Sequence, residues 1–195
     1  MPRLLLALAA LALMALLSGC ATLSKAECQT GDWRALGVSD GTRGFPTARF
    51  ERHVEACSQH GIVPSQALYL AGHTEGLQTY CRLDNAAEAG TRGAPYYQVC
   101  TGEIGLSFGR VYVQGRDVYD ARDEAGEIRS EISEVQSKLA DPNASDEVRA
   151  VLDDQLDSLE RSLDRQEDDI AREERELRNV LADEVRRLNA LGIAG

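Results

Sequence analysis

The chain reads as mainly α-helical, with a small disulfide-stapled helical domain followed by a long antiparallel helical hairpin of the coiled-coil kind. Three observations predict this. Apolar residues spaced alternately three and four apart run from Val118 to Leu139 and resume from Val148 to Leu191, the pattern of a heptad seam. All ten aromatic residues lie at or before Tyr119, and thirteen of the seventeen glycines lie between Gly31 and Gly115. Charge is segregated in the same way: residues 20–116 hold nine acidic and nine basic side chains, whereas 117–195 hold 23 and 11. A neutral, glycine- and aromatic-rich domain therefore precedes an acidic arm without aromatics. Such an arm argues against nucleic acid, which requires basic patches, and is repelled by anionic headgroups.

The first element is an address. Met1 to Arg3 is short and basic, and Leu4 to Leu17 consists only of Leu, Ala and Met. Fourteen such residues suit a signal peptide and are too few to span a bilayer comfortably. Leu17-Ser18-Gly19-Cys20 resembles the lipobox of bacterial lipoproteins. That resemblance implies removal of residues 1–19, acylation of Cys20, and a protein that sits on a membrane without crossing it. Ala21, where an aspartate would signal retention at the inner membrane, implies the periplasmic face of the outer membrane. Residues 20–27 then read as a lipidated tether, 28–105 as the globular domain and 106–195 as the arm.

Cys28, Cys57, Cys81 and Cys100 remain, an even number in an oxidising compartment, so two disulfides are expected. Pro46 to His60 reads as one helix, with Phe50, Val54 and Cys57 on a shared face. Gly61-Ile62-Val63-Pro64 is a stop and restart, and Ser65 to Cys81 reads as the next helix. If the two are antiparallel, Cys57 and Cys81 lie roughly 20 Å apart, beyond disulfide reach. Cys28–Cys57 with Cys81–Cys100 is preferred, the second closing a Gly-rich loop; Cys28–Cys81 with Cys57–Cys100 stays open.

Two glycine patterns mark this domain. Gly37-x-x-Asp40-Gly41-x-x-Gly44 reads as a turn, with glycines supplying positive φ and Asp40 bonding the backbone ahead of it. Tyr69-x-x-Gly72-His73-x-x-Gly76-Leu77-x-x-Tyr80 lies in a helix, where the two glycines leave a bare strip for another backbone. Tyr112-x-x-Gly115-Arg116-x-x-Tyr119 echoes it, either as an internal duplication or as the same packing solution used twice. These residues, with Gly31-Asp32-Trp33, Arg49-Phe50, His53, Ala56-Cys57, Gly61-Ile62, Pro64, Asn85, Gly90, Gly93, Tyr97, Val99-Cys100 and Phe108, follow one pattern in order. The pattern resembles the bacterial envelope lipoprotein family catalogued as domain of unknown function 2799, over roughly residues 28–140. His73 departs from it, standing where that family usually has arginine. The resemblance implies a cysteine-stapled periplasmic lipoprotein and no particular reaction.

In the arm, Asp141-Pro142-Asn143-Ala144-Ser145 breaks the seam and supplies a cap for the second helix. The first helix, counted from about Leu106, is about 50 Å long. The second is longer, so its last turns should return to the globular domain. Gln166 and Glu173 interrupt its seam, and Asp157/Arg161, Asp168/Arg172, Glu174/Arg178 and Asp183/Arg187 are acid-first i,i+4 pairs.

Chemistry is sparse. His53, Cys57 and His60 share a helix face at metal-ligand spacing, but Cys57 is expected to be oxidised and no further cluster completes a set, so no metal and no cofactor is expected. Gly105-Leu106-Ser107-Phe108-Gly109 has G-x-S-x-G spacing but follows no strand-like run, and no Gly-rich phosphate loop follows a strand. Trp33, Asp40, Tyr69, Tyr80 and Tyr97 are the candidate binding residues; the aromatics among them could stack a sugar or peptidoglycan stem, and as core they would fill a small interior. The leading expectation is a non-catalytic envelope lipoprotein that presents its hairpin to a protein partner or uses it as a spacer. The alternatives are a cell-wall-binding module built on the aromatic domain, and an unrecognised envelope enzyme.

Overall fold

The computed structural model describes residues 23–193; the expected signal peptide over 1–19 and the lipidation candidate Cys20 lie outside them. The described residues form seven helices and no strand, in two compact units that divide between Thr79 and Tyr80. The first unit holds α1 (Lys25–Thr30), α2 (Trp33–Thr42), α3 (Arg49–Ser58) and all but the last residue of α4 (Gln66–Tyr80). The second holds α5 (Leu83–Thr91), α6 (Gly102–Leu139) and α7 (Asp146–Ala190). The division by packing thus does not fall at 105/106, where composition changes, because α5 packs along α6.

Folding begins earlier than a tether over 20–27 suggests. Leu23 is buried in the core of the first unit, and Ser24 with Glu27 forms a capping box at the start of α1. The Ser24 hydroxyl accepts from Glu27 N at 3.3 Å while the Glu27 carboxylate accepts from Ser24 N at 2.7 Å. Cys28 is joined to Cys57 with Cα atoms 5.5 Å apart, and Cys81 to Cys100 at 5.6 Å. Half of the stretch closed by the second bond is not loop but the helix α5.

The run Gly37 to Gly44 is likewise not one turn. It continues as α2 through Gly37, Asp40 and Gly41, and only Gly44, at φ +70°, turns. Gly37 and Gly41 serve close approach instead. A Cβ on Gly37 would overlap the Tyr69 carbonyl and one on Gly41 the His73 carbonyl, while Gly72 and Gly76 face the Arg34 and Val38 carbonyls. The bare strip on α4 thus meets a matching strip on α2.

The second unit repeats the device. Gly90 of α5 faces the Tyr112 carbonyl, and a Cβ on Gly115 would lie 3.0 Å from the Ala87 carbonyl. Gly37 follows Cys28 by nine residues and Gly90 follows Cys81 by nine; Tyr69 follows Cys57 by twelve and Tyr112 follows Cys100 by twelve. Both short helices end alike, with Gly44 N bonded to Gly41 O and Gly93 N to Gly90 O, each at 2.9 Å. Just beyond each glycine a long-helix side chain donates to a carbonyl, though from different positions of the motif: His73 Nε2 to Phe45 O at 2.7 Å, and Tyr112 Oη to Ala94 O at 2.8 Å. The echo in the sequence is therefore one motif built twice.

Helices α6 and α7 run antiparallel. Their cross-links descend in order: Arg129 to Glu167 at 2.8 Å, Gln114 to Glu173 at 2.9 Å and Arg110 to Glu184 at 2.9 Å. Val118, Ala125, Val135, Leu152 and Leu188 are buried along the seam. The two seam interruptions are satisfied across it, since Gln166 Nε2 donates to Ala121 O at 3.1 Å and Glu173 accepts from Gln114. Helix α6 starts at Gly102, four residues before Leu106, and the last turns of α7 return to pack on α5. The acid-first pairs give way to other partners: Glu174 takes Arg122 of α6, Arg172 takes Asp169 and Glu173, and Arg187 takes Glu103 and Glu184.

Candidate functional site

Two polar centres stand out, one in each unit. In the first, Asp40 is fully buried on α2. Its Oδ2 accepts from His53 Nε2 at 2.7 Å and from the Tyr69 hydroxyl at 3.0 Å. Its Oδ1 accepts from Arg43 at 3.1 Å, and Arg49 Nε lies 3.3 Å away with its N–H aimed elsewhere. Because a carboxylate only accepts, His53 must carry its proton on Nε2. Burial acts to raise the Asp40 pKa and is the largest single influence, but the bonds from His53 and Tyr69 and the nearby charges of His53 and Arg49 together hold it below the usual 3.8. Burial and Asp40 itself push the Tyr69 phenol well above its usual range. Arg49 also stacks on Phe45, with its guanidinium 3.9 Å from the ring centre. Asp40, His53 and Tyr69 are closed to solvent and tie α2, α3 and α4 together, while Arg43 and part of Arg49 reach the surface.

The second centre lies where α7 returns to the start of α6. Glu184 accepts from Ser107 Oγ at 2.6 Å, Arg110 Nη1 at 2.9 Å and Arg187 Nε at 2.8 Å, and Arg187 also reaches Glu103 at 2.6 Å. Burial raises the Glu184 pKa, but the three hydrogen bonds outweigh it and bring the carboxyl down to about 2 from 4.5. A lowered carboxylate stabilises the fold fully above its unfolded pKa and loses that contribution as pH falls toward the folded value. Arg110 is half exposed and Arg187 about a third, so solvent screening discounts that shift to about 1–2 kcal/mol. The urea midpoint of helical circular dichroism should therefore separate wild type from Glu184→Gln widely at pH 7, and the gap should shrink steadily between pH 5 and pH 2. A gap independent of pH would show that the carboxylate is not the group responsible.

Beside this knot opens a groove of about 950 Å³, walled by Tyr96, Gln98, Leu106, Tyr112, Val113 and Val180, with Glu184 and Asp183 at its edge. Gln98 has φ +56°, the one described non-glycine residue with positive φ, so this wall carries backbone strain. Leu106 and Val113 are more than half exposed along it.

The candidate binding residues are not gathered at one place. Asp40 and Tyr69 share a hydrogen bond in the first unit, where Trp33 is also buried in the core. Tyr80 is buried in the second unit, stacked on Phe108 at 5.3 Å, and burial pushes its phenol up to about 12. Tyr97 is 49% exposed. His53, Cys57 and His60 do not converge as ligands: His53 is committed to Asp40, Cys57 to its disulfide, and His60 is exposed. Among the described residues no group of His, Cys, Asp and Glu is placed to hold a metal ion.

Residues 32–117 match the family described as protein of unknown function (DUF2799). The resemblance read from residue spacing reaches roughly 28–140; the matched segment is shorter and ends where the acidic composition begins. It takes in α2 to α5 and the first part of α6, hence both copies of the glycine-packed motif and the Asp40 centre, but not Glu184. No curated protein and no solved structure matches the chain.

Proposed function

We propose that this protein is a non-catalytic envelope lipoprotein, held at the periplasmic face of the outer membrane by acyl chains on Cys20, that presents its helical hairpin to a protein partner. The anchor is supported by the apolar run ending at Ser18-Gly19-Cys20, and no described helix is long and apolar enough to cross a membrane. The observation that carries the hairpin reading is its tip. Helix α6 ends at Leu139, so the seam of α7 runs on without a partner at Val148, which is 50% exposed, and Val151 beside it is 68% exposed. Val118, Ala125, Val135, Leu152 and Leu188 are buried along the seam, so these two valines stand out as apolar surface at the charged tip of the arm.

The test is crosslinking in intact cells followed by mass spectrometry, comparing wild type with the double variant Val148→Asp, Val151→Asp. Specific crosslinks should be lost while helix content and membrane fractionation stay unchanged. Crosslinks that persist would remove the tip from the binding role. The strained, tyrosine-lined groove on the second unit supports a second reading as a wall-binding module, and sedimentation of the soluble form with peptidoglycan sacculi would bring it forward.

A further inference from the structure

We propose that the unit formed by residues 23–79 lies flat on the lipid surface, with the turn around Val63 and the start of α4 at Leu68 entering the headgroup region as a second attachment beside the acyl chains. This rests on the reading of Cys20 as the acylated residue. The argument begins with reach. Leu23 is buried in the core, so only Ala21 and Thr22 separate Cys20 from folded structure. Three residue steps span at most about 11 Å when fully extended. The folded unit therefore cannot stand away from the bilayer.

The face nearest that attachment is set by bonds. Ser24 O accepts from Cys28 N at 3.0 Å, Cys28 is bonded to Cys57, and Cys57 O accepts from Ile62 N at 3.2 Å. Ile62 packs against the cluster that contains Leu23. The turn that follows is thus tied to the lipidated end. It projects: Gly61 takes φ +70° with nothing within 4 Å of a Cβ built there, and Val63 is 85% exposed. Leu68, early in α4, is 49% exposed, and Lys25 is exposed at the start of α1. Apolar side chains beside a lysine suit the boundary between acyl chains and headgroups.

Charge selects the same unit. Residues 23–79 hold six acidic and five basic side chains, whereas 80–195 hold 26 and 15, so an anionic surface tolerates the first and repels the second. Lipid is the occupant to which these observations point, because the chain enters the unit from the acylated residue.

The experiment uses the full acylated protein reconstituted into vesicles of phosphatidylethanolamine and phosphatidylglycerol, with or without brominated acyl chains. Wild type carries one tryptophan, Trp33, which is buried and sets the baseline. Val63→Trp adds a second at a site whose side chain is free of packing. The added emission should shift to the blue on reconstitution and lose most of its intensity with brominated lipid. Added emission that stays unquenched while the protein floats with the vesicles would leave the anchor standing and overturn the lipid contact. Failure of the acylated fraction to float would overturn both the anchor and the contact that depends on it.

Discussion

Asp40→Asn is expected to destabilise the first unit by about 3 kcal/mol, the scale seen when one member of a buried charged cluster is removed. The substitution keeps shape and removes one acceptor. Asp40 accepts on both oxygens, from His53 and Tyr69 on one side and Arg43 on the other, with Arg49 close by. An amide has a single acceptor oxygen, so its NH2 group must face N–H or O–H donors whichever way it is turned. Trp33, the only tryptophan and a member of this core, reports the loss directly, because its fluorescence follows unfolding of residues 23–79 in urea. Tyr69→Phe, which deletes one donor and leaves the carboxylate otherwise paired, should cost about 1 kcal/mol. The wild-type midpoint should also fall as pH drops below the ordinary carboxylate range, since a lowered pKa gives stability above about 4 that acid removes. A midpoint for Asp40→Asn equal to wild type would show that the cluster is not what holds α2, α3 and α4 together.

Why that cluster was hidden in the sequence is instructive. Asp40 lies between two glycines, and Gly-rich spacing around an aspartate is what an exposed turn also looks like. The distinguishing fact is that Gly37 and Gly41 are four apart, as are Gly72 and Gly76, so each pair forms a strip on one helix face. Reading the first pair by the rule applied to the second would have made α2 a helix and buried Asp40 with it. His53 shares a helix face with Cys57 and His60 at metal-ligand spacing, yet its partner is Asp40. Arg49 and Arg43 carried no signal, since nothing local in a sequence says which arginines fold inward.

The arm was more legible, because heptad spacing and a five-residue polar break are local facts that determine a hairpin nearly by themselves. What escaped there was long-range. Ser107 and Glu184 are 77 residues apart, and the G-x-S-x-G spacing around Ser107 lies inside helix α6; only the antiparallel register brings the two together. The i,i+4 ion pairs failed for the same reason. Helix-surface pairing is worth only a few tenths of a kcal/mol, so an arginine from the opposite helix or a nearer carboxylate easily displaces it. The capping box Ser24-Lys25-Ala26-Glu27 is a local S-x-x-E signal, and it starts α1 inside the segment that composition makes look like a tether.

The repeated motif makes the sharpest quantitative expectation. Gly72→Ala should cost about 3 kcal/mol or more, at the upper end for overpacking, because the new methyl meets backbone and not a side chain that can turn away. The Arg34 carbonyl and the Val38 amide line that position, and both belong to the regular hydrogen bonding of α2, so relief requires the two helices to part. Gly126→Ala in α6 supplies the contrast. No atom lies within 4 Å of the Cβ built there, so the same chemical change should stabilise the hairpin by up to about 1 kcal/mol through helix propensity alone. Trp33 fluorescence reads the first and helical circular dichroism the second. Opposite signs for one Gly→Ala exchange would separate glycine kept for close approach from glycine merely tolerated. If Gly72→Ala were neutral, α2 and α4 would have to be packed further apart than their carbonyl contacts place them, and the pairing of the two glycine strips would be wrong.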